Sequence, residues 1–268
     1  MSTVHTQGMA YDELNAYLEQ AREGSVAHPY EDNQLWLKHV TALQALIAQH
    51  GLDAGRVLEV GCGRGELQDI AGDYTGLDLD FGRSKYVGKP FVCSSATRMP
   101  FDDDTFDAAW SIWVLEHIPD PNLMLQEMRR VVKPGGIIFL CVAYSVASWI
   151  SQGLHKRPFR ELSWKQRLIK LTIPVRASAI YKIVSRLLLR CLQLAGYLRR
   201  RQPTAVKFAP LTPNFEIYWD YDADACASID AYSVALYFLS RADTPLYPAG
   251  PFRSLLQKSQ PQAFIVRK

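Results

Sequence analysis

An apolar run that breaks into three alternating glycines, VLEVGCGRGEL at residues 57–67, restricts the fold more than any other part of the chain. Glycine alone turns freely through positive φ, so Gly61, Gly63 and Gly65 predict a tight turn at the end of a buried strand, with backbone open to a ligand. Further short apolar runs (RVLEV, YTGLDL, PFVCS, FDAAWSIWV, GGIIFLCVAY) are separated by turns, and helical stretches such as NLMLQEMRRVV lie between some of them. Strands alternating with helices indicate a parallel sheet covered on both faces. Ligands of such sheets settle beyond the carboxyl ends of the strands, where the strand order reverses. The link from Leu79 to Phe91 has no helical period and barely the length of a crossover, so a turn is expected there.

The spacing narrows the ligand. A dinucleotide loop reads Gly-x-Gly-x-x-Gly, but Glu66 occupies the place of the last glycine, where an acid would repel a pyrophosphate. Asp78, nineteen residues after Glu59, ends the second run in GLDLD, where a carboxylate can accept from both ribose hydroxyls. A nucleoside without phosphates fits better than NAD.

With these residues the chain resembles the class I S-adenosylmethionine-dependent methyltransferases, in particular the type 11 small-molecule group. LEVGCGRG matches that group's Glu-x-Gly-x-Gly-x-Gly loop, GLDLD its ribose acid, MPFDDDTFDAAWSIWVLEHIPDP its long fourth-strand signature and EMRRVVKPGGIIFL its fifth-strand region. The resemblance spans about Arg56 to Tyr144 and implies a Rossmann-like α/β fold with a seven-stranded, mostly parallel sheet. It also implies S-adenosyl-L-methionine as cofactor. Gly61, Cys62, Gly63 and Gly65 would approach it through the loop, Glu59 would support its amino end, and Asp78 with the neighbouring Leu79 would hold its ribose. Cys62 itself reads as a small space-filling residue, and Asp80 as a solvated turn acid. Where the family often has an acid for the adenine amino group, this chain reads SATRMPF, leaving the Ser95 hydroxyl or the Ala96 backbone for that contact.

Methyl transfer from a sulfonium is an in-line displacement, so alignment carries much of the catalysis. An alcohol acceptor also needs its proton removed, and His117, beside Glu116 in WVLEHIPD, is the candidate base. The same pair could equally be structural. Some quinone-modifying relatives add a glutamate four residues before the histidine to hold a metal; Trp113 stands there, and no metal site is expected.

The chain divides into a helical cap (1–50), the cofactor-binding core (51–144), a basic helical insertion after the fifth strand (145–212) and a C-terminal part returning a helix and final strands to the core (213–268). Between Ser151 and Lys207 fourteen Lys or Arg face one acid, Glu161. The insertion should hold one helix from Ser163, with a Ser163–Gln166 capping box, ending before Pro174. A second, amphipathic helix should place Ile180, Ile183, Val184, Leu187, Leu188, Cys191, Leu194, Ala195 and Leu198 on one side and Lys182, Arg186 and Arg190 beside it. It reads as a lid over the cleft or a dimer partner, as a peripheral contact with anionic membrane through residues 163–201, or as an RNA-binding element; its aliphatic surface argues against RNA. In the C-terminal part, Tyr218, Trp219, Asp220, Tyr221, Asp222 and Asp224 suit a polar acceptor such as a sugar, or else Asp222 or Asp224 caps the following helix.

Five scattered cysteines without a Cys-x-x-Cys pair suggest free thiols in a reducing cytoplasm, and no leader pattern or spanning run is evident. The expectation is a cytoplasmic enzyme, peripheral at the inner face of the membrane, that O-methylates a small-molecule or lipid-linked acceptor such as a glycan. An RNA methyltransferase and a non-catalytic cofactor-binding scaffold are the alternatives.

Overall fold

The computed structural model describes residues 33–200, 202–214, 218, 222–247, 251–255 and 261–268. Of the expected cap, residues 1–32 lie outside the described part, as do Trp219, Asp220 and Tyr221. Helix α1 (Gln34–His50) starts where the Asn33 side chain accepts from the Leu35 and Trp36 amides and ends on Gly51 at φ 62°. Its core face is His39, Leu43, Leu46 and Ile47, whereas Leu35 is exposed.

One mixed sheet organises the described residues. Strands β1 (Arg56–Val60), β2 (Asp73–Asp78), β3 (Phe91–Cys93), β4 (Phe106–Ile112), β5 (Val132–Cys141), β8 (Thr244–Tyr247) and β9 (Gln262–Ile265) take the order β3-β2-β1-β4-β5-β9-β8. The pairs within β1–β5 are parallel, and β9 runs antiparallel to both β5 and β8. The last strand in sequence is thus interior, wedged between β5 and β8. The order reverses between β1 and β4, which places a ligand crevice at their carboxyl ends.

Side chains alternate across the sheet as a two-residue period demands. Phe106 and Ala109 of β4 enter the core beneath α2 (Pro121–Val131) and α6 (Ala231–Leu239), while Ala108 and Trp110 face the core under α1. The link after β2 is, as expected, only a 3₁₀ turn, Phe81–Tyr86. The segment after β1 also lacks a helix: Gly65, Gln68 and Ile70 each donate to the carbonyl three residues back.

After β5 come the short helix α3 (Ser148–Ser151) and two long helices, α4 (Trp164–Ala177) and α5 (Ala179–Arg200). The Ser163–Gln166 capping box forms. α4 does not stop before Pro174 but carries it inside. Pro174 is exposed, so water can satisfy the Lys170 carbonyl that a proline amide cannot. A small second sheet pairs β6 (Phe208–Pro210) with β7 (Ala227–Ile229), and α7 (Pro251–Ser254) precedes β9.

α5 docks along one edge of the expected apolar side: Leu194 of that side turns inward, while Ile180, Ile183, Val184, Leu188 and Leu198 stay exposed. Its body-facing residues are Arg190, Leu194 and Tyr197, the last two packed with Tyr232, Leu236 and Leu255. Arg190, expected beside the charged face, is buried: its guanidinium donates to Asp230 at 2.6 and 2.8 Å and to the Leu255 carbonyl at 2.7 Å. Asp230, rather than Asp222 or Asp224, caps α6 by accepting from the Tyr232 amide. Burying an ion pair is itself costly, but removing one partner strands the other. Arg190→Ala is therefore expected to destabilise the protein by about 3–5 kcal/mol in urea unfolding. Wild-type stability would mean that α5 does not dock through this pair.

Candidate functional site

The site is built where β1, β2 and β4 end. Gly61, at φ 76°, follows β1 directly, and a Cβ there would overlap both methyl groups of Val114. Its amide and that of Cys62 donate to the Leu77 carbonyl at 2.7 and 3.1 Å, stitching the turn to β2. Cys62 is buried with its sulfur against Gly76, where no Cβ could fit. Gly63, at φ 55°, has only the Glu66 carboxylate at 3.5 Å and Arg83 at 3.8 Å near the position a Cβ would take. Gly65, at φ 72°, lies close to Val87.

Asp78 closes the loop. Its Oδ2 accepts from the Gly63 amide at 2.9 Å and its Oδ1 from the Asp80 amide at 3.1 Å. A carboxylate offers about four lone-pair positions, so each oxygen retains one, which matches two neighbouring hydroxyls. Asp80 accepts from the Gly82 amide and pairs with Arg83 at 3.3 Å, and Leu79 is exposed beside them. At the end of β3, Ser95 accepts from the Thr97 amide at 3.2 Å and shares a hydrogen bond with its hydroxyl at 2.8 Å, so it first serves its own turn; Ala96 is buried.

Glu59 points into the core beneath this loop, where Tyr74 donates its hydroxyl to Oε2 at 2.5 Å. Burial pushes its pKa up to about 8, against the opposing pull of the Tyr74 hydrogen bond. The side chain is 5 % exposed, so Glu59 supports the loop from below. Nothing in the motif itself announced Tyr74, which comes from the next strand.

The second half of the site follows β4. Trp113, at φ 57°, donates its amide to the Cys141 carbonyl and packs against Trp36 and His39 of α1, with ring centroids at 5.5 and 5.9 Å. The turn Leu115–His117 then presents Glu116 and His117. Glu116 is fully buried; Oε1 accepts from the Ala143 amide at 3.1 Å, while Oε2 has no hydrogen-bond partner among the described residues. His117 Nε2 lies 3.9 Å from Glu116 Oε1, and Nδ1 lies 3.4 Å from Asp224 Oδ2. Burial lowers the imidazole pKa, but the Asp224, Glu116 and Asp222 carboxylates outweigh it and the net shift is upward. Burial, only partly offset by His117, likewise raises Glu116.

Asp224 and Asp222 reach this place because the Cys226 amide donates to the Glu116 carbonyl at 2.8 Å and ties the C-terminal segment over the turn. The sequence singles out Asp222 and Asp224 as acceptor-side or capping acids, but spacing could not place them beside His117, more than a hundred residues away. Trp113, Ser145 and Asp222 all take positive φ around this cluster, a strain that tertiary packing must hold. Glu116, His117 and Asp222 also bring one ligand atom each within 4.8 Å of one another, a donor set whose chemistry fits a divalent cation. Tyr218 is spent elsewhere: its hydroxyl donates to Glu161 at 2.5 Å and its ring lies under Arg157 at 5.0 Å.

Residues 58–140 match the family model described as a methyltransferase domain. The chain is 31% identical over 144 residues to a demethylmenaquinone methyltransferase of Clavibacter sepedonicus, covering 49% of this chain and 53% of the relative. It is 33% identical over 153 residues to a fatty-acid O-methyltransferase of Mycolicibacterium smegmatis (51% and 53%) and 31% identical over 176 residues to a phthiotriol/phenolphthiotriol dimycocerosates methyltransferase of Mycobacterium tuberculosis (59% and 61%). The chain spans about half the length of the first two of these curated relatives. Together with the sheet order, these matches identify a class I S-adenosylmethionine-dependent methyltransferase domain. Asp78→Ala is expected to cost about 1.5–3 kcal/mol of cofactor affinity, roughly ten- to 150-fold, in titration calorimetry. Unchanged affinity would remove Asp78 from the cofactor site.

Proposed function

We propose that the protein O-methylates a lipid-linked or membrane-proximal acceptor, such as a lipid-linked glycan, with His117 as the base. The observation that carries this reading is the imidazole held among Glu116, Asp224 and Asp222 beside the cofactor loop. The similarity to a protein named for O-methylation of a fatty acid supports an oxygen acceptor on an apolar molecule.

When bound, S-adenosylmethionine supplies a methyl group already activated on a sulfonium. The Asp78 carboxylate and the Gly63 backbone fit its nucleoside without a phosphate contact. On the acceptor side, His117 accepts the hydroxyl proton as the methyl group leaves the sulfonium sulfur, which becomes a neutral thioether, for the acceptor oxygen. Asp224 at Nδ1 orients the ring and stabilises the imidazolium, and Glu116 lies on the Nε2 side to favour the same charge. Holding both reactants in line supplies the rest of the rate.

His117→Ala should lower kcat by about 10²–10⁴-fold and leave cofactor affinity nearly intact. Turnover equal to wild type across the pH range would return His117 to a structural role. The raised pKa means that the free base is lost as pH falls through a value above the ordinary 6.5. The acid limb of kcat/KM is therefore expected above that value, and Asp224→Asn, which removes a negative neighbour, should move it to lower pH. A limb that does not move would exclude the Asp224–His117 coupling.

The donor set of Glu116, His117 and Asp222 favours a second reading, in which these three residues would hold a divalent cation that would supply Lewis-acid polarisation of the acceptor oxygen. On the proton-transfer reading, exhaustive chelation leaves kcat unchanged; loss of activity restored by added metal would replace it. Labelled cofactor incubated with membrane extract reads out the acceptor, and no transfer to any acceptor with cofactor bound would support a scaffold.

A further inference from the structure

We infer that the α4–α5 hairpin is a docking surface for an anionic membrane. The inference rests on the hairpin and holds whether or not His117 is the base. On α4, Trp164, Leu168, Leu171 and Val175 recur at intervals of four, three and four, which is one helical stripe, and all four are exposed, Trp164 by 67%. On α5, Ile180, Val184, Leu188 and Leu192 recur every four residues as a second exposed stripe, with Ile180 at 77%, and Ile183, Leu189 and Leu198 are exposed as well. The side of α5 that meets the body is the one carrying Arg190, Leu194 and Tyr197. A lid would bury its apolar side; this hairpin leaves most of it exposed. Large contiguous apolar surface on a protein marks something it binds.

Charge selects the occupant. No Asp or Glu occurs between Leu162 and Phe215, and α4 and α5 carry nine Lys or Arg. Several of these serve the fold: Arg190 pairs with Asp230, Arg167 donates to the Phe159 and Leu162 carbonyls, Lys170 donates to the His155 and Arg157 carbonyls, and Arg176 lies over Trp149. Lys182, Arg186 and Arg199 have no carboxylate partner among the described residues and flank the apolar stripe. Apolar side chains ringed by unpaired cations match the acyl–headgroup boundary of an acidic leaflet. A second copy docked through the same face would bring like charges together with no acid to offset them. RNA would leave the aliphatic stripe in water. Among the described residues no helix is long and apolar enough to cross a membrane, so the contact is interfacial.

The hairpin is tied to the candidate site. Arg190 grips Asp230 at the start of α6, and the strand just before it, β7, follows Asp224 and Cys226, which lie against His117 and Glu116. Seating the hairpin on a bilayer therefore fixes the segment that faces the acceptor.

The full-length protein should co-sediment with vesicles of phosphatidylcholine containing phosphatidylglycerol and bind pure phosphatidylcholine vesicles much more weakly. Replacing Lys182, Arg186 and Arg199 by Gln should weaken partitioning on the order of tenfold or more. Replacing Ile180, Val184 and Leu188 by Ser should abolish it, and raising salt should weaken it incompletely, because the apolar part is not screened. Cofactor affinity and thermal midpoint serve as the folding control in both variants; every altered side chain but the half-buried Arg186 is exposed. Failure to sediment with acidic vesicles while cofactor binding is intact overturns the membrane inference and leaves the methyltransferase reading standing. A concentration-dependent dimer lost in the Ser variant, or RNA binding that falls steeply with salt, would also overturn it.

Discussion

Everything at the cofactor end of the sheet depends on the close approach of the Gly61 turn to Val114. Because Gly61 has no Cβ and sits at φ 76°, the chain leaving β1 lies directly against the chain leaving β4. The Gly61 and Cys62 amides are then free to bond the Leu77 carbonyl, which fixes the end of β2 and with it Asp78. Asp78 returns the favour by holding the Gly63 amide. The loop is thus braced on three strands without a following helix, which explains how a segment made only of turns can present a rigid backbone to a ligand.

Two buried glutamates mark the two halves of the site, and their surroundings give them different work. Glu59 is paired with a neutral donor, the Tyr74 phenol, in a site where burial raises its pKa to about 8. Such a group is a neutral or easily neutralised prop. Glu116 is equally buried but faces an imidazole and a second chain segment carrying Asp222 and Asp224. There the charges are shared, and moving a proton among them costs less than creating one isolated buried charge. The first arrangement suits support, the second suits acid–base chemistry.

The insertion inverts the usual relation between amphipathicity and burial. A helix in water normally hides its apolar stripe, yet α5 hides an arginine and exposes isoleucines and leucines. The exchange is possible because Asp230, placed at the N-terminus of α6, supplies a bidentate partner for Arg190. The outward stripe is then available for another phase.

The sequence by itself determined the cofactor half. Glycines needed for positive φ, an acid at the end of the next strand and short apolar runs at regular intervals are local signals, so they specified the sheet, the crevice and the turn that Gly61, Gly63 and Asp78 build. It also placed the capping box at Ser163 and the missing crossover after Leu79. The tertiary structure alone decided the rest: that Tyr74 caps Glu59, that Asp224 and Asp222 face His117 from across the chain, that Pro174 lies within a helix, and which side of α5 meets the body. Periodicity shows that a helix has two faces but not which one is buried. That choice rests on the Arg190–Asp230 ion pair, forty residues apart, and on Leu194 and Tyr197 packing with Tyr232, Leu236 and Leu255, contacts that no local pattern encodes.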